Sequence, residues 1–175
     1  MKSMKIHKIY FDMDGVLADF DGGVSALCGI KAPGQGKNIP KAIQDSLWEH
    51  VKKIDHFYDK LDPMPGALDL FFTVYEKYGD RVEILSGIPK PRREIVTAAE
   101  DKVSWAHRLL SPDLKVNTVF REEKKLYCTG ASDILIDDYD SNIEEWEKYG
   151  GTGILYLSPE DTLKKIRSIE EAKEM

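Results

Sequence analysis

At 175 residues with a net charge of −6, the chain is long enough for one domain, or one domain with a modest insertion. It is 42% hydrophobic and 32% charged, the balance of a soluble globular protein with ample core. The acidic balance excludes a broad nucleic-acid-binding surface, which needs clustered Lys and Arg, and no apolar run approaches the ~20 residues that span a bilayer.

The N-terminal stretch MKSMKIHKIYFD carries lysines but lacks the apolar run of ~7–15 residues of a secretory signal. In chain order, the first predicted element is a strand at 8–11, ending on Tyr10-Phe11. Four more short, apolar, often β-branched runs follow at 82–85, 116–120, 134–136 and 154–157. Each is bounded by polar residues or glycine, as strands buried on both faces are. Helical patterns lie between them. Ala67–Tyr78 puts Leu70, Phe71, Val74, Tyr75 and Tyr78 on one stripe behind Pro65-Gly66, with Gly79 at its end. A long helical stretch at 91–110 stops before Ser111-Pro112. Ser141-Asn142-Ile143-Glu144 is a capping-box pattern opening a helix that ends at Gly150-Gly151. Ser158-Pro159 opens the last helix, with Asp161 read as a cap. Strands alternating with helices indicate an α/β domain with a parallel sheet.

Residues 20–62 break the alternation, being too long for a βα loop. KAPGQGKNIP in the middle is a Gly/Pro-rich loop and 40–61 looks helical, so the segment reads as a small helical insertion over the C-terminal edge of the sheet. Trp105 and Trp146 read as core. The pairs Arg92-Arg93 and Lys164-Lys165 read as solvated faces, and EDKVSWAHR as a plain helical surface with Trp105 turned inward. Cys28 and Cys128 are too few for a disulfide framework and read as thiols of a reducing compartment, so cytoplasmic residence is expected.

In an open parallel sheet, ligands bind at the carboxyl ends of the strands. Asp12 and Asp14 follow the first strand, Ser86 and Gly87 the second, Asp137 and Asp138 the fourth. Three loops distant in sequence thus bring four acids and a hydroxyl to one edge. Four carboxylates together repel unless a cation sits among them. Oxygen donors with few histidines point to Mg²⁺ rather than zinc. Magnesium shares its sites with phosphate, so the pattern suggests phosphoryl transfer. Asp19 and Asp21, taken singly, read equally well as helix caps.

FDMDGVLADF, ILSG and LIDDYDSN together resemble the motifs of the haloacid dehalogenase superfamily of phosphohydrolases. Within it, DMDGVLADFDGG and FYDKLDPMPGAL are similar to the 5′(3′)-deoxyribonucleotidase family. The resemblance implies a three-layer Rossmann-like α/β core with a five-stranded parallel sheet, residues 1–19 and 63–175, and a small helical cap, residues 20–62, inserted after the first strand. It implies Asp12 as the nucleophile that forms an aspartyl-phosphate, and Asp14 as the acid that protonates the leaving alkoxide and then the base that activates water. Gly15 lets the chain turn between these tasks. Asp12, the backbone carbonyl of Asp14, and Asp138 or Asp137 would hold Mg²⁺, Asp138 being favoured as the direct ligand. Ser86 and the amide of Gly87 would bind a phosphate oxygen; Ser stands where much of the nucleotidase family has Thr, and the hydroxyl is kept. The neutralising lysine would be Lys124 or Lys125, with spacing favouring Lys124. Phe20 matches the phenylalanine that lines the nucleobase pocket, whereas Trp48, His56, Phe57 and Tyr58 read as cap core.

The expected function is Mg²⁺-dependent hydrolysis of nucleoside monophosphates, with deoxyribonucleotides favoured. A sugar phosphate or other small phosphomonoester is the alternative substrate, and a non-catalytic binding protein on the same fold is a third reading. The expected partner is a small phosphomonoester, not a nucleic-acid polymer or a membrane. Oligomeric state is open, with a homodimer as the candidate.

Overall fold

The computed structural model describes residues 5–34 and 38–172. The middle of the expected Gly/Pro-rich loop, residues 35–37, lies outside them, as do residues 1–4. Five parallel strands form one sheet: β1 Lys8–Phe11, β2 Val82–Gly87, β3 Lys115–Val119, β4 Asp133–Asp137 and β5 Thr152–Leu155. Their order is β3-β2-β1-β4-β5, so β1 lies at the centre. Ile9 pairs with Val82 on one side and Ile134 on the other. The five predicted strands are all present. The last begins two residues earlier than predicted, and Leu157, expected in it, is exposed.

Side chains of β1 alternate between two cores, as the period of a strand requires. Ile9 and Phe11 face the larger core with Ile84, Ile134, Ile136 and Trp105. Tyr10 faces the smaller one with Leu85, Leu135, Ile143 and Trp146. Helices α3 Ala67–Tyr78, α4 Ala98–Leu109 and α6 Pro159–Glu171 supply the first core, and α5 Asp140–Lys148 the second. The result is a helix–sheet–helix α/β domain. Trp105 and Trp146 are fully buried, as expected.

Three helical expectations outside residues 20–62 need correction. The stretch at 91–110 is not continuous: a 3₁₀ turn at Pro91–Arg93 is followed by Glu94 in the left-handed region (φ 56), and α4 begins only at Ala98. The β-branched run Ile95-Val96-Thr97 in between disfavours helix. Arg93 is not simply solvated, since it pairs with Asp45 at 2.6 Å. The Ser141–Glu144 pattern does not cap α5, which starts at Asp140 behind Tyr139; the Asp137 carboxylate takes the Tyr139 amide (2.9 Å) and the Asn142 side chain (3.0 Å) instead. Ser158, not Asp161, caps α6, accepting from the Asp161 amide, while Asp161 pairs with Lys165 at 2.7 Å.

Residues 20–62 carry α1 Phe20–Gly23, a π-turn Val24–Cys28, α2 Lys41–Lys52 and a 3₁₀ turn Phe57–Lys60. The expected helix at 40–61 therefore ends at Lys52. His56 adopts a left-handed backbone (φ 52), uncommon for a residue with a Cβ. Its ring meets the buried carboxylate of Asp101 at 2.7 Å, and that bond raises the imidazole's affinity for its proton. The Trp105 indole donates to the Leu61 carbonyl (2.7 Å), so the same strip is tied to α4.

Candidate active site

The loop after β1 is held from inside. The Asp12 amide continues the sheet, donating to the Ile136 carbonyl at 2.9 Å. The Met13 carbonyl accepts from the amides of Val16, Leu17 and Ala18, and all four side chains are fully buried. The V-L-A run is thus an apolar plug that anchors the acidic loop. Gly15 has φ 81, and a Cβ on it would stand 2.1 Å from Asp138 Oδ2. Gly15→Ala should therefore strain the backbone by about 1 kcal/mol and displace Asp138. We expect only a modest drop in Tm, since the clash falls on a side chain that can shift; a thermal melt checks this. The chain then leaves at Asp19, whose carboxylate caps α1 through the Gly22 amide (3.0 Å).

Lys124 lies in a 3₁₀ segment, Arg121–Tyr127, after β3. Its ammonium is buried between Asp12 Oδ1 (2.9 Å) and Asp137 Oδ2 (2.8 Å). Burial opposes its charge, but the two carboxylates and their hydrogen bonds outweigh it, so Lys124 holds its proton more firmly than a free lysine. Lys125 points elsewhere, 5.6 Å from the Tyr149 ring centroid. Asp137 is fully buried with both oxygens engaged: Oδ1 by the Tyr139 amide, Oδ2 by Lys124 and Asn142. Asp138 differs. Its Oδ1 is buried and has no hydrogen-bond partner among the described residues. Burial, followed by the charges of Asp12 and Asp137, pushes its pKa up to about 8.

Carboxylate oxygens of Asp12, Asp137 and Asp138 come within 4.8 Å of one another. An all-oxygen set with one unpartnered buried oxygen and mutual repulsion fits a hard divalent cation.

A second ammonium, unforeseen in the sequence, enters from α4. Lys102 Nζ donates to Asp14 Oδ2 (2.8 Å), Ser86 Oγ (2.8 Å) and the Gly87 carbonyl (2.7 Å). Ser86 is fully buried against it. The reading of EDKVSWAHR as a plain surface is thus corrected: Asp101 and Lys102 are buried alongside Trp105. A signal was present. Ala98, Asp101, Lys102, Trp105 and Ala106 fall at i, i+3, i+4, i+7 and i+8, the buried stripe of a helix.

Asp12, Asp14, Gly87, Lys124, Asp137 and Asp138 border one cavity of about 330 Å³. Residues 20–62 supply its apolar wall: Phe20, Trp48 and Tyr58 line it, with Phe20 5.9 Å from Trp48 and 6.1 Å from Tyr58 between ring centroids. Phe57 is buried behind Phe20. Tyr58 is buried in the core, as expected, and borders the cavity as well; Trp48 is only half-buried and shares the wall with Phe20, and His56, also expected as core, is exposed. The sequence reading also missed Arg121, which lies over the Tyr139 ring at 4.8 Å, and Asn142. Neither has a local pattern that marks it.

A family model described as "5' nucleotidase, deoxy (Pyrimidine), cytosolic type C protein" matches residues 35–175. The human mitochondrial 5'(3')-deoxyribonucleotidase is 27% identical over 152 residues, covering 75% of this chain and 61% of that protein. The chain thus spans about three fifths of that relative's length. The human cytosolic-type 5'(3')-deoxyribonucleotidase is 25% identical over 150 residues, covering 77% of this chain and 71% of that protein. Among solved structures, a HAD-superfamily hydrolase from Ehrlichia chaffeensis superposes with a TM-score of 0.59 at 16% identity, over 95% of this chain and 99% of that one. L-2-haloacid dehalogenase from Xanthobacter autotrophicus gives 0.53 at 18% identity, over 93% and 83%. The fold is that of the haloacid dehalogenase-like hydrolases, as expected.

Proposed function

The chain belongs to the family described as 5' nucleotidase, deoxy (Pyrimidine), cytosolic type C, and on that premise we propose that it hydrolyses nucleoside monophosphates, deoxyribonucleotides in particular, with Mg²⁺ as cofactor. The observation that carries the reading is the Lys124 ammonium shared by Asp12 and Asp137 in a cavity that Phe20 and Trp48 also line. Charge for a phosphoryl group and an apolar, aromatic wall for a base thus share one space.

In this mechanism Asp12 attacks phosphorus and becomes an aspartyl-phosphate while Asp14 protonates the leaving oxygen. Asp14 then takes a proton from the water that attacks the aspartyl-phosphate, which releases phosphate and restores both acids. Lys124 keeps Asp12 aimed and offsets charge on the phosphoryl oxygens. Ser86 and the Gly87 amide would hold one of those oxygens. Asp12, Asp138 and the backbone carbonyl of Asp14 would hold Mg²⁺, with Asp137 as their neighbour; the free Oδ1 of Asp138 and the engaged oxygens of Asp137 support that order. The ion would neutralise phosphoryl charge as the bond to the leaving oxygen breaks.

Phe20 would stack on the base. Residues 1–19 and 63–175 would be the core and 20–62 a cap; side-by-side exit and return, with the Asp19 amide on the Asp62 carbonyl at 2.8 Å, support this boundary. No helix among the described residues is long and apolar enough to cross a membrane, and we assign the protein to the cytoplasm.

The test is phosphate release from 5′ and 3′ deoxyribonucleotides, ribonucleotides and sugar phosphates, with Mg²⁺ or with EDTA. Mg²⁺-dependent release should favour nucleotides by about tenfold or more in kcat/KM. A tenfold preference for a sugar phosphate would sink the nucleotidase reading. No hydrolysis of any ester, with no Mg²⁺ binding by calorimetry, would replace an enzyme with a binding protein.

A further inference from the structure

Helix α2 turns one stripe inward, and that stripe has a polar exception. Gln44, Leu47, Trp48 and Val51 fall at i, i+3, i+4 and i+7, one face of a helix. Leu47 and Val51 are buried, while Gln44 and Trp48 are half-buried. Gln44, Leu47 and Trp48 all border the cavity. A glutamine is ordinarily found on the solvated face; here it stands one turn before Trp48, whose ring centroid is 5.9 Å from that of Phe20.

The Gln44 carboxamide is also oriented. Its Nε2 donates to the Ile39 carbonyl at 3.0 Å. A carbonyl oxygen only accepts, so the amide cannot turn end for end without setting oxygen against oxygen. One N–H is committed in this way. Oε1 and the second N–H remain, side by side and in a fixed order. Asp21 and Tyr58 are the other polar side chains that residues 20–62 bring to the cavity. An ionised Asp21 has acceptors only, and the Tyr58 ring lies against the Lys102 ammonium, 4.5 Å from its centroid. Gln44 differs from both: it offers a donor and an acceptor without charge, the pairing that amides make with base edges.

We propose that Gln44 is a specificity-determining residue: its carboxamide pairs with the edge of a base stacked against Phe20 and Trp48. The assignment rests on the reading of the chain as a nucleotidase. Stacking is tolerant, because every base has a π-face, so the aromatic wall takes bases in general. A fixed donor–acceptor order is not tolerant. Uracil presents acceptor, donor, acceptor along its pairing edge, and cytosine presents donor, acceptor, acceptor. The two rings have the same shape, so a site that separates them reads the edge.

The test compares kcat/KM for dUMP, dCMP and 2-deoxyribose 5-phosphate, all with Mg²⁺, in the wild type and in Gln44→Met. The wild type should separate dUMP from dCMP by about tenfold or more, the scale of a paired amide. Gln44→Met, of similar length and without donor or acceptor, should bring that ratio within about threefold by lowering the favoured nucleotide. Hydrolysis of 2-deoxyribose 5-phosphate, which has no base, should change less than about twofold. Should Gln44→Met fail to fold, Gln44→Asn draws the amide back by one methylene and should collapse the same ratio.

An unchanged ratio in either variant would overturn the assignment, because the edge is then read elsewhere. An equal loss on all three esters would overturn it too, leaving Gln44 only the task of holding Ile39 at the start of α2. A wild type that favours nucleotides over 2-deoxyribose 5-phosphate but treats dUMP and dCMP alike would overturn this assignment alone. A wild type inactive on all three, or as active on 2-deoxyribose 5-phosphate as on either nucleotide, would overturn the nucleotidase reading and this assignment with it.

Discussion

Asp12→Asn should cut phosphate release by about 10⁴-fold or more without unfolding the protein. The amide is close to isosteric, and its oxygen can still accept from Lys124, which now bonds Asp12 Oδ1 at 2.9 Å. What is lost is the nucleophilic oxygen and one negative charge. The charge loss has a second consequence. Asp12 is among the groups that push the Asp138 carboxyl up to about 8, so removing it relieves repulsion in the acid cluster. The variant should melt in EDTA no lower than the wild type, and Mg²⁺ should raise its Tm less. Initial rates and thermal melts with and without Mg²⁺ check both halves. Turnover within tenfold of wild type would mean that phosphorus is attacked by something other than Asp12.

Lys124→Met should damage stability as well as rate. The ammonium separates two buried carboxylates, Asp12 and Asp137, and removing one partner of a buried ion pair costs about 3–5 kcal/mol because the other charge is left behind. Rate should fall about 10²–10³-fold, the scale of a lost preorganised donor. Mg²⁺ should recover part of the stability, since a cation among the carboxylates replaces some of the missing charge. Lys125→Met is the control. That lysine lies beside Tyr149 rather than the acids, and the change should stay within about 0.5 kcal/mol with no effect on rate. If Lys124→Met melts like the wild type in EDTA, the shared ammonium does not hold the cluster together.

These two variants act in opposite senses on the same cluster, which is why they are informative together. One removes a negative charge from a crowded site and spares the fold. The other removes the positive charge that makes the crowding tolerable. Their contrast separates what the site needs for chemistry from what it needs to exist.

The sequence by itself determined the strands: β1, β2 and β4 are almost wholly buried and read as short, mostly apolar runs, and the half-buried edge strands β3 and β5 read from their β-branched residues. It also determined Ala67–Tyr78 to the residue, where glycines close both ends. It located Asp12, Asp14, Ser86, Asp137 and Asp138, since the ends of parallel strands fall on one edge whatever the details of packing. Only the tertiary structure decided the rest. It separated Lys124 from Lys125, because which of two adjacent lysines turns inward depends on the path of a 3₁₀ segment. It gave Asp137 and Asp138 different surroundings, a matter of hydrogen bonds reached from Tyr139, Asn142 and Lys124 rather than of residue type. It brought Lys102 onto Asp14 from 88 residues away. A lysine on a helix is ordinarily solvated, and nothing local says that this one will meet a carboxylate, a hydroxyl and a carbonyl in the interior. Spacing along the chain carries the period of an element; it does not carry the partners that make a buried charge affordable.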